Sequence, residues 1–190
     1  MTVKQIFIDV ETTGLNHWQH AVHQISGTIY IENVLTDTFD YKVKPHETSK
    51  VEQAALDLGG LKLETVYAYP HRTIVYPELI ALLEKNCNKH DPKDNYFFCA
   101  YNAHFDNAFL KAFFKQCNDT TFDSWFWSNT IDVMVLAAEY LKDIRHEMPN
   151  FKLKAVANKL GIIVDEKKLH DSLYDIQLTK KVYDIISKTK

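Results

Sequence analysis

Three stretches near the amino terminus carry the two-residue alternation or short apolar run of a β-strand. Residues 3–10, VKQIFIDV, form the first, and 22–31 and 34–44 form two more, joined by the tight connection Glu32-Asn33, which predicts an antiparallel meander. After Pro45 the period lengthens to that of a helix. Short amphipathic pieces are predicted over 50–57 and 61–67, parted by Gly59-Gly60, and a longer helix from Pro77 to Lys89 with the proline in its first turn. Residues 96–101, YFFCAY, read as a buried strand leading into a helix over 105–117, on which Phe105, Phe109, Leu110 and Phe113 make one stripe. Further helices are predicted near 131–145, 152–160 and 171–187. A meander followed by strands alternating with helices predicts an α/β architecture, a mixed sheet flanked by helices.

The length of 190 residues suits one hydrophobic core, and no linker, repeat or low-complexity tract divides it, so one domain spanning 1–190 is expected. A net charge of -3 gives no global basic signature, so attraction to nucleic acid would have to come from local lysines or metal ions. Arg72 and Arg145 are the only arginines, which leaves little scope for bidentate reading of particular bases and favours broad sequence tolerance. Cys87, Cys99 and Cys117 are odd in number and lack CxxC spacing, which argues against a disulfide framework or zinc knuckle and fits a reducing compartment. No apolar run approaches the ~20 residues of a membrane span. A cytoplasmic protein is expected, nucleoid-associated if its substrate is DNA.

Candidate chemistry begins where the first strand closes. Side chains two apart on a strand share a face about 6.6 Å apart, so Asp9 and Glu11 project together and could share metal ions. The pair alone is equally what a solvated strand end looks like; the continuation, DVETTGL, adds Gly14, which permits an unusual backbone path, and places Thr12, Thr13 and Leu15 beside the acids. A second group, Tyr101-Asn102-Ala103-His104-Phe105-Asp106, lies where the buried strand meets its helix; Asn102 and Asp106 could serve a cleft or simply start the helix. A third, His170-Asp171-Ser172-Leu173-Tyr174-Asp175, opens the last helix, with Asp171 or Ser172 as its N-cap. Five residues are about 500° of helix, so His170 and Asp175 would diverge by about 140° were both helical; His170 is expected on the preceding loop.

These three groups, in this order, resemble the motifs of the DEDD exonuclease superfamily: DVETTGL the first, Asn-x-x-Phe-Asp the second, and His-x4-Asp the signature of the DEDDh branch, closest to its DnaQ-like proofreading group. The sibling branch has tyrosine four residues before the last acid, where this chain has Asp171. The resemblance implies a ribonuclease H-like fold with a mixed five-stranded sheet. It implies a 3′-5′ exonuclease releasing 5′-mononucleotides with two divalent cations, Mg²⁺ with Mn²⁺ able to substitute. Asp9 would bridge both ions, Glu11 and Asp175 would complete the site holding the attacking water, Asp106 would hold the second ion, and His170 would be the general base. Thr12, Thr13, Gly14, Leu15 and Asn102 would meet the terminal nucleotide, and Phe105 would stack on it or pack against Phe109.

Other features have simpler readings. His17, His20 and His23 imitate a zinc set, but their loop does not keep helical spacing. The aromatic run Phe122, Trp125, Phe126 and Trp127 is expected to pack a loop onto the core rather than stack bases or dock a partner, Asp132 to cap a helix or support the site indirectly, and Lys152, Lys154 and Lys159 to be a solvated face rather than a guide for phosphates. The expected partner is a nucleic-acid 3′ end, single-stranded or frayed DNA before RNA; a silent nucleic-acid-binding subunit is a third reading, opposed by the five intact catalytic positions. Because the chain stops at Lys190 directly after its last helix, a free-standing enzyme is expected, or one meeting a polymerase or repair partner through its folded surface.

Overall fold

The computed structural model describes residues 2–169 and 171–188. Five strands among them form a sheet in the order β3-β2-β1-β4-β5. β1 (Lys4–Thr12), β2 (Val22–Ile31) and β3 (Val34–Lys42) are the antiparallel meander, and Glu32 and Asn33 both take positive φ, the two-residue turn whose twist matches its flanking strands. β4 (Phe97–Ala100) pairs parallel with β1 over Gln5–Phe7, and β5 (Ile131–Asp132) extends the sheet in parallel beyond β4. The central position thus belongs to β1.

Helices cover both faces. Ile6, Ile8 and Val10 point to one core, shared with Val75, Leu79 and Leu83 of α3 (Arg72–Glu84) and with Phe109, Leu110, Phe113 and Phe114 of α4 (Ala103–Gln116). Phe7 and Cys99 point to the other, built with α5 (Val133–Tyr140), α6 (Leu153–Lys159) and α7 (Ser172–Ser187). The short helices α1 (Gln53–Leu58) and α2 (Leu63–Tyr67) lie between β3 and α3.

Two elements differ from expectation. The helix assigned to Pro77–Lys89 starts at Arg72 and holds Pro77 inside. The His71 ring caps it by accepting the Thr73 N–H, and the stripe Val75, Leu79, Leu83 buries its face; this anchoring outweighs the single helical hydrogen bond that proline removes. The helix expected over 131–145 opens instead as β5, because Ile131 and Asp132 find the free edge of β4, and it gives way to a 3-10 turn over Lys142–Glu147. The aromatic run behaves as core: Phe122, Trp125 and Phe126 are buried, and the backbone of Trp125 and Trp127 pairs with Tyr96.

Candidate active site

Odd-numbered side chains of β1 face α7. Phe7 is buried in that core, Gln5 Nε2 donates to the Tyr183 hydroxyl at 2.9 Å, and Asp9 and Glu11 continue the row to the strand end. β4 stops pairing with β1 at Phe7 and its chain turns into α4, so the Val10 N–H lies beyond the ladder. Asp106, in the first turn of α4, accepts that N–H through Oδ1 at 3.0 Å. The third acid, only 4% exposed, is therefore tied to the peptide that separates the first two. Its place at a helix start also suits a carboxylate, since the unpaired amide groups there carry partial positive charge.

The fourth acid comes from α7, whose start is fixed by side chains. Asp171 caps the helix by accepting the Tyr174 N–H at 2.9 Å, as expected. Ser172 is buried and meets Gln24 Nε2 at 2.8 Å and Ser26 Oγ at 2.6 Å, while Asp40 accepts from Gln24 Nε2 at 2.7 Å and from Ser26 Oγ at 2.8 Å. One amide and two hydroxyls from β2 and α7 thus converge with a carboxylate from β3. Asp175 stands one turn past this junction. His170 lies outside the described residues.

Electrostatics bind the acids into one group. Burial is the first cause raising Asp9 well above the usual carboxylate range, and the charges of Asp106, Glu11 and Asp175 raise it further. Burial pushes Asp106 up to about 8 against the opposing pull of the Val10 N–H and its own backbone, with Glu11 and Asp132 adding repulsion. Among the described residues no three carboxylate, imidazole or thiol groups form a closed ligand set. What is present is Asp9 within electrostatic reach of Glu11, Asp106 and Asp175, oxygen groups whose summed charge a hard divalent cation would offset. The donor chemistry fits Mg²⁺ or Mn²⁺.

The loop after β1 divides its predicted roles. Thr13 departs from its expected contact with nucleotide: it is fully buried, donates to the Lys50 carbonyl at 2.7 Å and accepts the Ala21 N–H at 2.9 Å, so its side chain locks the loop. Thr12 donates to the Gly14 carbonyl at 2.8 Å. A Cβ on Gly14 would stand 2.4 Å from the His20 ring, so only glycine fits there. Leu15 is 82% exposed at the loop tip. Asn102 adopts the left-handed conformation (φ 68°) at the start of α4, its N–H directed to Asp132 Oδ1 at 3.3 Å. Phe105 is partly buried with its ring 4.8 Å from Phe109, so packing and partial exposure both hold. The three histidines do not gather: His20 is buried against Asn16 and Glu52, whereas His23, whose burial and nearby Lys42 pull it down to about 4, sits on β2.

An exonuclease family model, that of ribonuclease T, matches residues 6–183. The chain belongs to the RNase T exonuclease family. Among its relatives, DNA polymerase III subunit epsilon of Pasteurella multocida is 26% identical across 95% of this chain and 66% of its own length. Ribonuclease T of Vibrio cholerae is 25% identical across 94% and 79%. DNA polymerase III PolC-type of Thermotoga petrophila is 24% identical, but this chain spans only 11% of that protein. In structure, the chain superposes on E. coli exonuclease I in complex with a dT13 oligonucleotide with a TM-score of 0.74 at 18% identity, covering 97% of this chain and 41% of the other. The fold is ribonuclease H-like, a mixed sheet flanked by helices, and this exonuclease family generally uses divalent metal ions.

Within this exonuclease domain, one support has no counterpart in the sequence reading. Gln24, Ser26 and Thr28 alternate with Ile25 and Ile29 along β2, and that polar row in an otherwise apolar strand was the available signal of a polar partner on its face. Asp132 does cap α5, through the Met134 and Val135 N–H groups, but it also orients Asn102 and adds charge near Asp106. Among the described residues no helix is long and apolar enough to cross a membrane.

Proposed function

We propose that this chain hydrolyses the terminal phosphodiester bond at the 3′ end of nucleic acid, single-stranded DNA or frayed DNA ends first, and releases 5′-mononucleotides. The observation that carries the reading is the convergence of Asp9, Glu11, Asp106 and Asp175, from three separate segments, at the end of the central strand, with Asp106 bonded to the peptide between the first two. Asp9, Glu11 and Asp175 would hold one divalent cation, and Asp106 with Asp9 would hold a second. Cations bound there would lower the pKa of water and neutralise charge on the phosphoryl group. His170 is assigned the general base; with an ordinary imidazole pKa near 6.5 it accepts a proton at neutral pH. Thr12, Gly14, Leu15, Asn102 and Phe105 surround the terminal nucleotide, while Thr13 braces that loop from within.

A second reading, 3′ trimming of RNA, is favoured by the likeness to ribonuclease T, of whose length this chain covers 79% in the Vibrio cholerae protein. Release of mononucleotides from 5′-labelled single-stranded DNA and RNA of equal sequence, with Mg²⁺ and with EDTA, tests both. Mg²⁺-dependent shortening of DNA is expected, faster than of RNA. A faster RNA reaction moves the assignment to RNA, and no release from either leaves only a binding role. A polymerase or repair partner would dock on the folded surface, as the likeness to an epsilon subunit suggests for this domain.

A further inference from the structure

The chain leaves the acid pair through a loop that is more tightly built than a simple connection requires. Asn16 organises it: its side chain accepts the Trp18 N–H at 2.9 Å, its carbonyl accepts the Gln19 and His20 N–H groups at 2.9 and 2.8 Å, and its own N–H donates to His20 Nδ1 at 3.1 Å. On this fixed turn stands Trp18, 77% exposed. Behind it the His17 ring lies 4.7 Å from the indole and 6.1 Å from Phe109, which is one turn along α4 from Asp106. Beside it Lys115 places Nζ 5.7 Å from the indole centroid. An indole held open on a hydrogen-bonded turn, braced by a second ring and flanked by a cation, combines the two features by which proteins hold single strands without reading sequence: an aromatic face for a base and a positive charge for the backbone.

We propose that Trp18, supported by His17 and Lys115, is a stacking platform for a base of the substrate strand upstream of the nucleotide being removed. The placement follows from α4, which carries both landmarks: Lys115 is nine residues past Asp106, about 13 Å along the helix axis, beyond the reach of the terminal nucleotide and within that of its neighbours. Charge supports a nucleic-acid occupant over a protein one, because in a chain of net charge -3 a lysine beside an exposed ring near four carboxylates is a local site for phosphate. Stacking is tolerant of base identity, in keeping with a chain that has two arginines.

The inference rests on the exonuclease reading, and its test separates the two. The intact chain and W18A and W18F variants are compared on dT10 and on the p-nitrophenyl ester of thymidine 5′-monophosphate, which has no upstream base. The ratio of kcat/KM on dT10 to that on the ester is expected to fall about tenfold in W18A, the size of one lost base-aromatic stack, and to recover largely in W18F. In EDTA, where no turnover occurs, dT10 is expected to quench the indole fluorescence of the intact chain and of W18F far less. An unchanged ratio together with unchanged quenching overturns the platform. Quenching that depends on Trp18 in a protein releasing no nucleotide upholds the platform and sinks only the exonuclease reading. K115Q is expected to lower the salt slope of dT10 binding by about one ion, and an unchanged slope removes Lys115 from the site.

Discussion

The two helices that bring acids to β1 are fastened in opposite ways. α4 is held by an apolar stripe and by one hydrogen bond from β1 itself, so Asp106 is fixed wherever β1 is fixed. α7 also lies on an apolar face, but in its first turn Ser172 is fastened by Gln24 and Ser26 of β2, which Asp40 of β3 holds in turn, side chains from strands that carry none of the four acids. One acid is a consequence of the sheet; the other depends on a polar junction two strands wide. Asp175 is therefore the acid whose position can be changed without touching the other three.

The largest expected effect breaks the first fastening. Asp106→Ala should lower turnover about 1000-fold, through the lost ligand, and cost about 1–3 kcal/mol of stability because the Val10 N–H is left unpaired. Asp106→Asn keeps an acceptor for that N–H and, above pH about 8 where Asp106 ionises, removes a repelled charge, so it should lose turnover similarly while raising the stability of the metal-free protein there. Urea unfolding in EDTA checks the pair, and equal destabilisation by both would show that the hydrogen bond contributes nothing. Next in size, His170→Ala should reduce turnover about 100-fold with metal binding retained; loss of binding in isothermal titration would make it a ligand instead.

Ser172→Ala attacks the second fastening. It should cost about 1 kcal/mol and reduce turnover about tenfold through a weaker metal site, so that raising Mg²⁺ restores part of the rate. A variant that loses stability yet keeps the wild-type dependence on Mg²⁺ would show the junction to be structural only. The smallest effect is in pH. Asp9 and Asp106 bind their protons more tightly folded than unfolded, so their contribution is fully present below the ordinary carboxylate pKa near 4 and is lost as pH rises toward about 8 for Asp106. Metal-free melting temperature should therefore fall across that window on this account, and saturating Mg²⁺ should flatten the fall; a metal-free curve that rises throughout would mean the acids do not repel as placed.

Much of this was legible because it is local. The meander and its Glu32-Asn33 turn, the stripe on α4 and the Asp171 cap follow from period and turn chemistry. Pro77 misled because a proline tolerated inside a helix carries the same local signature as one that starts it, and the burial of Val75 decided which. β5 escaped because two residues are too few to show a period; only the free edge of β4 makes them a strand. The aromatic run was legible as core, although nothing in its spacing showed that it pairs with Tyr96.

For the site, local sequence was enough to show which side chains are carboxylates and that Asp9 and Glu11 share a face, since strand geometry fixes that within three residues. It could not determine that Asp106 reaches the Val10 N–H, that Thr13 turns inward while Leu15 turns out, or that β2 and β3 fasten the helix bearing Asp175. Those facts rest on contacts between residues up to about 150 positions apart, where burial and hydrogen-bond satisfaction select one arrangement among many the local rules allow. The repulsion that makes the acids a group arises the same way, from charges that only the folded chain brings near one another.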